Sequence, residues 1–240
     1  MAATVARKTS AILDSAGPSA EWPVISIPAA AARSLDGFRD WAHSDDFPQR
    51  GKVSFIQGEI LIDMSPEELE THNKVKTEIT SVLHRLCREL NLGTFYSDRT
   101  LLTNDKADLS TEPDGTFASW DAFRSGRLKR APRKDHPDEF IELRGSPDWV
   151  LEIVSRSSAT KDTKRLRQAY HRAGIAAYWL INALEKQIDF QILTYRASGY
   201  VAAASRQGWR RSAVFACDFR LRRRRDELGD WQYVLESKPV

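Results

Sequence analysis

The spacing of apolar positions changes several times along the chain, and each change marks an element. Behind Ser34, Leu35, Phe38 and Trp41 recur every third residue, which predicts a short helix begun by a capping serine. Val53 to Met64 reads as two short strands around a Gln57-Gly58 turn, with Glu59 opening the second. From about Pro66 to Leu90, Val75, Ile79, Val82, Leu83, Leu86 and Leu90 follow a helical period that Gly93 can end. A strand region is expected over Thr94 to Leu102. Another, Leu109 to Phe117, is broken at Pro113, which places Asp114 at the break.

Residues 124 to 146 are charged and contain Pro132, Pro137 and Gly145, so they read as a surface connection. A strand over Asp148 to Ser155, a helix from about Thr160 to Ala173 and a strand over Ala177 to Asn182 then make a βαβ pattern. Beyond it Ile188, Phe190 and Ile192 alternate with polar residues, and short strands are expected around Tyr200, Val214, Phe219 and Trp231.

Within the 148–155 strand, alternation puts Val150, Glu152 and Val154 on one face and Trp149, Leu151 and Ile153 on the other. Glu152 thus interrupts an apolar run. Leaving a carboxylate ionised there costs several kcal/mol even after relaxation, so it needs a base, strong hydrogen bonds or a metal.

Composition narrows the setting. With 240 residues, 41% of them hydrophobic, the chain can bury one sizeable core. Residues 1–28 mix Ala, Ser and Pro without a period and read as a flexible N-terminal arm, leaving 29–240 as one domain. A net charge of +3 is too small to identify a polyanionic partner. Two clusters, Arg127 to Lys134 and Arg220 to Arg225, are candidates for phosphate contact or simply solvated runs, and Asp226, Glu227 and Asp230 can neutralise the second. Cys87 and Cys217 lack metal-ligand spacing, so a zinc site or disulfide scaffold is unsupported and a cytoplasmic setting is expected. No apolar stretch approaches the roughly 20 residues of a membrane span.

Glu112-Pro-Asp114, followed by Pro147-Asp-Trp-Val-Leu-Glu-Ile-Val-Ser155, resembles the two acidic motifs of PD-(D/E)XK nucleases. Together with Asp162, Tyr170 and Gly174-Ile-Ala-Ala-Tyr-Trp179, they resemble the Uma-two family of bacterial restriction endonucleases over roughly residues 50 to 200. The resemblance implies an α/β, restriction-endonuclease-like core with a mixed β-sheet flanked by helices. It also implies an endonuclease that hydrolyses phosphodiester bonds, in DNA, with Mg²⁺ or Mn²⁺ held by Asp114, Glu152 and the Ile153 carbonyl. Such an ion polarises a phosphoryl oxygen and acidifies a bound water.

The lysine of the pattern is displaced. Its usual strand position is Val154, and its commonest helix position, four before Tyr170, is Leu166, which leaves Lys161 and Lys164. Glu59 matches an acidic residue that related nucleases place before the first core helix, and His72 could orient a phosphate or water. Two other readings compete: an inactive nuclease fold that binds nucleic acid or protein, and an assembly protein in which Asp114 and Glu152 are ion-paired. A homodimer is a natural expectation, because duplex cleavage needs two scissions.

Overall fold

The structure is a computed structural model that describes residues 25–134 and 136–240. Most of the arm expected over residues 1–28 lies outside the described residues; Ile25 and Ile27 pack half-buried beside the first helix. That helix, α1 (Leu35–Ala42), buries Leu35, Phe38 and Trp41, and the Ser34 hydroxyl accepts from the Gly37 N–H at 3.1 Å.

The expected hairpin forms from β1 (Lys52–Ile56) and β2 (Glu59–Asp63). Gln57 and Gly58 both adopt positive φ, 55° and 80°, which suits the twist of a two-residue hairpin turn. A π-helical turn, Leu69–Asn73, leads into the long helix α2 (Lys74–Glu89). The strand region expected over Thr94–Leu102 is instead two strands, β3 (Gly93–Ser97) and β4 (Leu101–Asn104), in different sheets. Arg99, at a φ of 58°, turns the chain between them.

β5 (Leu109–Thr111) and β6 (Gly115–Ser119) are likewise divided between the two sheets, and the short α3 (Trp120–Arg124) follows. Residues 124–146 are not the expected surface connection but mainly a hairpin, β7 (Leu128–Arg133) with β8 (His136–Gly145). Its outer end, from His136 to Phe140, is exposed, so backbone pairing rather than burial makes it a strand, and Pro132 sits at a register irregularity.

The βαβ unit is present: β9 (Trp149–Ile153), then a π-helical stretch Lys161–Leu166 continuing as α4 (Arg167–Arg172), then β10 (Ala177–Asn182) parallel to β9. The chain ends in β11 (Asp189–Arg196), β12 (Gly199–Ala202), β13 (Arg210–Ser212), β14 (Cys217–Arg225) and β15 (Trp231–Pro239).

Three sheets result, ordered β2-β1-β5-β4-β8-β7, β12-β11-β10-β9-β6-β3 and β13-β14-β15. The first two are mixed, since β4/β8 and β9/β10 run parallel and the other pairs antiparallel. The central β9 separates two cores as its alternation predicts. Trp149, Leu151 and Ile153 pack with α2 and the third sheet, whereas Val150 and Val154 pack with Leu166, Ala169, Tyr170 and the first sheet. Among the described residues no helix is long and apolar enough to cross a membrane.

The arginine run of β14 is neutralised differently from expectation. Arg220 and Arg222 pair with Glu236 on β15, at 2.5 and 2.8 Å, while Arg223 donates to the carbonyls of Ala183, Glu185 and Lys186. A cross-strand neighbour reaches Arg220 and Arg222, and the β10–β11 connection reaches Arg223.

Candidate active site

The chain passes from the first sheet to the second through Glu112-Pro113-Asp114, and this crossing delivers Asp114 to the edge of β9. The Asp114 N–H donates to the Leu151 carbonyl at 3.0 Å, and its Oδ2 accepts from the Ile153 N–H at 2.7 Å. Asp114 is therefore tied to the residues on both sides of Glu152. The N–H and C=O of one strand residue point to the same edge, so the Ile153 carbonyl also faces Asp114. Both carboxylates are buried, with 1% and 2% exposure.

Their surroundings are opposite in sign. Burial alone would raise the Asp114 carboxyl, but Lys52 and His72 outweigh it and hold the group far below the usual carboxylate range. Lys52 Nζ lies on Asp114 Oδ1, and His72 Nε2 stands 3.3 Å from Oδ2. Glu152 accepts one hydrogen bond, from the Tyr170 hydroxyl at 2.5 Å. Burial, followed by the charges of Asp162 and Asp114, pushes its carboxyl well above the ordinary value, against Lys161 and Lys52. Asp162 is raised to about 6, again mainly by burial, although the Ser158 hydroxyl donates to its Oδ2. Among the described residues its Oδ1 has no hydrogen-bond donor, and neither has Glu112 Oε2.

Around Asp114 the charges close into a ring of alternating sign. Lys52 stands 3.4 Å from Asp98 Oδ1, and Asp98 Oδ2 pairs with Lys76 at 2.9 Å. Lys76 pairs with Glu67 at 2.6 Å, Glu67 with His72 Nδ1 at 2.7 Å, and His72 returns to Asp114. The π-helical turn at Leu69–Asn73 presents His72 to this ring, consistent with the tendency of π segments to occur at functional sites.

The structure brings Asp114, Glu152, His72 and Lys161 to one place. Lys161 lies 3.6 Å from Asp162 Oδ1, and its pKa is raised despite burial by Glu152 and Asp162. Lys164, one turn on, is exposed. Glu59 is not part of the cluster: 61% exposed, it pairs with Arg165 at 2.5 Å at the turn end of the hairpin. The other end carries Lys52 paired in register with Asp63, and Asp63 accepts from the Ser157 hydroxyl at 2.7 Å.

Lys52, Glu67, Lys76 and Asp98 have no sequence signal that separates them from ordinary surface charge. Tyr170 had one. A buried phenol needs an acceptor and a buried glutamate needs a donor, which matches the two.

A model of the Uma2 family, described as "Putative restriction endonuclease", matches residues 35–223. The crystal structure of a "putative nuclease belonging to DUF820" from Anabaena variabilis ATCC 29413 superposes with a TM-score of 0.55 at 20% identity, covering 76% of this chain and 90% of that one. It carries the same fold, an α/β arrangement of mixed sheets flanked by few helices. No curated protein matches the chain. The family match spans both acidic motifs, the βαβ unit between Trp149 and Asn182 and most of the arginine strand, and on that extent the chain belongs to the Uma2 family of restriction-endonuclease-like proteins.

Proposed function

We propose that this chain is a metal-dependent endonuclease that hydrolyses phosphodiester bonds in DNA, with Asp114 and Glu152 as its central carboxylates. The observation that carries the reading is the pair itself. Two buried carboxylates stand together, Asp114 in the crossing just ahead of β6 and Glu152 on the neighbouring β9, one held ionised and the other pushed toward protonation, with acceptors left over at Asp162 and Glu112. Such a surplus of buried acid suits a site that awaits cationic charge.

The donor set fits Mg²⁺ or Mn²⁺. Asp114, Glu152 and the Ile153 carbonyl are hard oxygen donors. Among the described residues no group of three or more His, Cys, Asp or Glu is placed to hold a metal ion, so the ion would be held by the two carboxylates, the Ile153 carbonyl and water. When bound, the ion would polarise a phosphoryl oxygen and lower the pKa of water. The protein's own groups do the rest. The Ile153 N–H and His72 fix the orientation of Asp114, and Tyr170 fixes Glu152. Lys161, packed among the carboxylates, is better placed than exposed Lys164 to hold an attacking water or a phosphate oxygen. Duplex cleavage needs two scissions, which two copies of the chain would supply. Cys87 and Cys217 are free and buried, which suits a reducing cytoplasm.

One observation favours a second reading, a nuclease fold that binds nucleic acid or protein without cutting. Val154 is buried in the apolar cluster with Leu166 and cannot do a lysine's work. The test is incubation of the chain and Glu152→Ala with plasmid and single-stranded DNA, with Mg²⁺ or Mn²⁺ and with chelator. The nuclease reading requires cleavage that chelator stops and that the variant loses by on the order of 1,000-fold. Intact DNA in every lane, with retained salt-dependent binding, establishes the second reading.

A further inference from the structure

Asp114 Oδ2 is committed, accepting from the Ile153 N–H at 2.7 Å and facing His72 Nε2 at 3.3 Å. Oδ1 is the oxygen left to meet a cation, and in the folded chain it meets Lys52. Lys52 is the first residue of β1, and the Lys52–Asp63 end of the hairpin places it against the sheet crossing. Its side chain is 27% exposed, enough for a small ion to approach, whereas Lys76, the other lysine of the ring, is 10% exposed and tied to two carboxylates.

A lysine ammonium and a divalent ion cannot both contact one carboxylate oxygen, because two cations at that separation repel strongly in a buried setting. The ammonium has somewhere to go. Asp98 Oδ1 stands 3.4 Å from the same Nζ and, among the described residues, accepts no hydrogen bond. Asp98 is itself held by Lys76, and through Glu67 and His72 the ring closes on Asp114. Displacing Lys52 from Asp114 therefore leaves it on a carboxylate that the ring keeps in place.

From this geometry we infer that Lys52 is a working cation of the site: it holds the position on Asp114 Oδ1 that a divalent ion takes, and yields to Asp98 when the ion arrives. The inference rests on the metal-dependent reading of Asp114. The released ammonium remains beside the carboxylates and, with Lys161, neutralises a phosphate, whereas Val154 stands at the pattern's usual lysine position and carries no charge.

The decisive measurement is calorimetric titration of Mn²⁺ into the full chain, Lys52→Met and Asp98→Asn, with folding checked by circular dichroism. Lys52→Met removes the competitor, so Mn²⁺ should bind on the order of tenfold tighter than to wild type. Asp98→Asn removes the carboxylate that receives the displaced ammonium, so Mn²⁺ should bind more weakly. At saturating Mn²⁺, Lys52→Met should cut DNA roughly 100-fold more slowly. Equal or weaker Mn²⁺ binding by Lys52→Met overturns the exchange, and so does equal or tighter binding by Asp98→Asn, which decides the matter if the lysine variant does not fold. A wild-type cleavage rate in Lys52→Met overturns its part in the reaction. If the affinities shift as stated but no protein cuts DNA, the exchange stands and the nuclease reading falls; if none binds Mn²⁺, both fall.

Discussion

Two buried carboxylates in this protein are each held by a basic side chain and a histidine, yet they are different objects. Glu142, on β8, receives a two-pronged pair of hydrogen bonds from Arg39 of α1 at 2.7 and 2.6 Å, and His43 Nε2 stands 3.1 Å away. Burial would raise this carboxyl, but Arg39 and His43 bring it down to about 2. Both oxygens are satisfied and the cluster is closed. Around Asp114 and Glu152 the acidic side chains outnumber the basic ones, and among the described residues Asp162, Glu112 and Asp98 each keep an oxygen with no hydrogen-bond donor. A satisfied buried pair fastens elements together, here α1 to β8, while a surplus of buried acid stores a demand for charge.

Removing one partner of the closed cluster gives the largest expected effect. Glu142→Ala leaves the partly buried Arg39 without its buried partner and should cost up to about 3–5 kcal/mol of stability. Glu152→Ala in the acid-rich cluster should cost far less, because the residue it removes is already unfavourable when ionised. The sign for Glu142 follows from its depressed pKa. Its contribution is complete above the unfolded value near 4.5 and is lost as pH falls through about 2. Urea unfolding of both variants at pH 7 checks the contrast, and similar losses for the two would erase it.

The acid-rich cluster should respond to pH in the opposite sense. Asp162 has its pKa raised from 3.8 to about 6, so the folded state binds a proton more tightly than the unfolded chain. Stability from this group is full below about 3.8 and is lost as pH rises through about 6. Asp162→Asn keeps an acceptor for Ser158 and removes the charge. In chelator it should gain stability relative to wild type between pH 4 and pH 8, by at most about 3 kcal/mol. A stability difference that stays constant across that range would show that Asp162 is not held against its charge.

The contrast also explains what could be read from the chain. β9 and β10 are buried on both faces and stand out as apolar runs, and Glu152 stood out because nothing else in its run was polar. The β1–β2 turn was visible in Gln57-Gly58. By contrast the outer part of the β7–β8 hairpin buries nothing from His136 to Phe140, so no hydrophobic period marks it. The break at Arg99 likewise reflects a change of sheet, which local sequence does not encode. Lys52, Asp98 and Asp114 come together over separations of up to 62 residues. Their meeting depends on which strand pairs with which, and β1 reaches the site only because it pairs with β5.

The smallest expected effect concerns Glu59, which the sequence offered as a second acidic contributor. Its register partner is Ile56, while the site end of the same hairpin is Lys52 opposite Asp63, four residue steps away. At about 3.3 Å per step this is roughly 13 Å, beyond the reach of a glutamate side chain. Its exposed pairing with Arg165 is the kind of surface ion pair that contributes little. Glu59→Ala should therefore change stability by less than about 0.5 kcal/mol and cleavage by less than about twofold. Asp63→Asn, at the other end of the hairpin, should show the greater effect on cleavage, because Asp63 is bonded to Ser157, on the connection between β9 and Lys161, and its carboxyl feels the charge of Lys161. A tenfold loss in Glu59→Ala with Asp63→Asn unaffected would reverse the ends of the hairpin and place the acid-rich site at its turn.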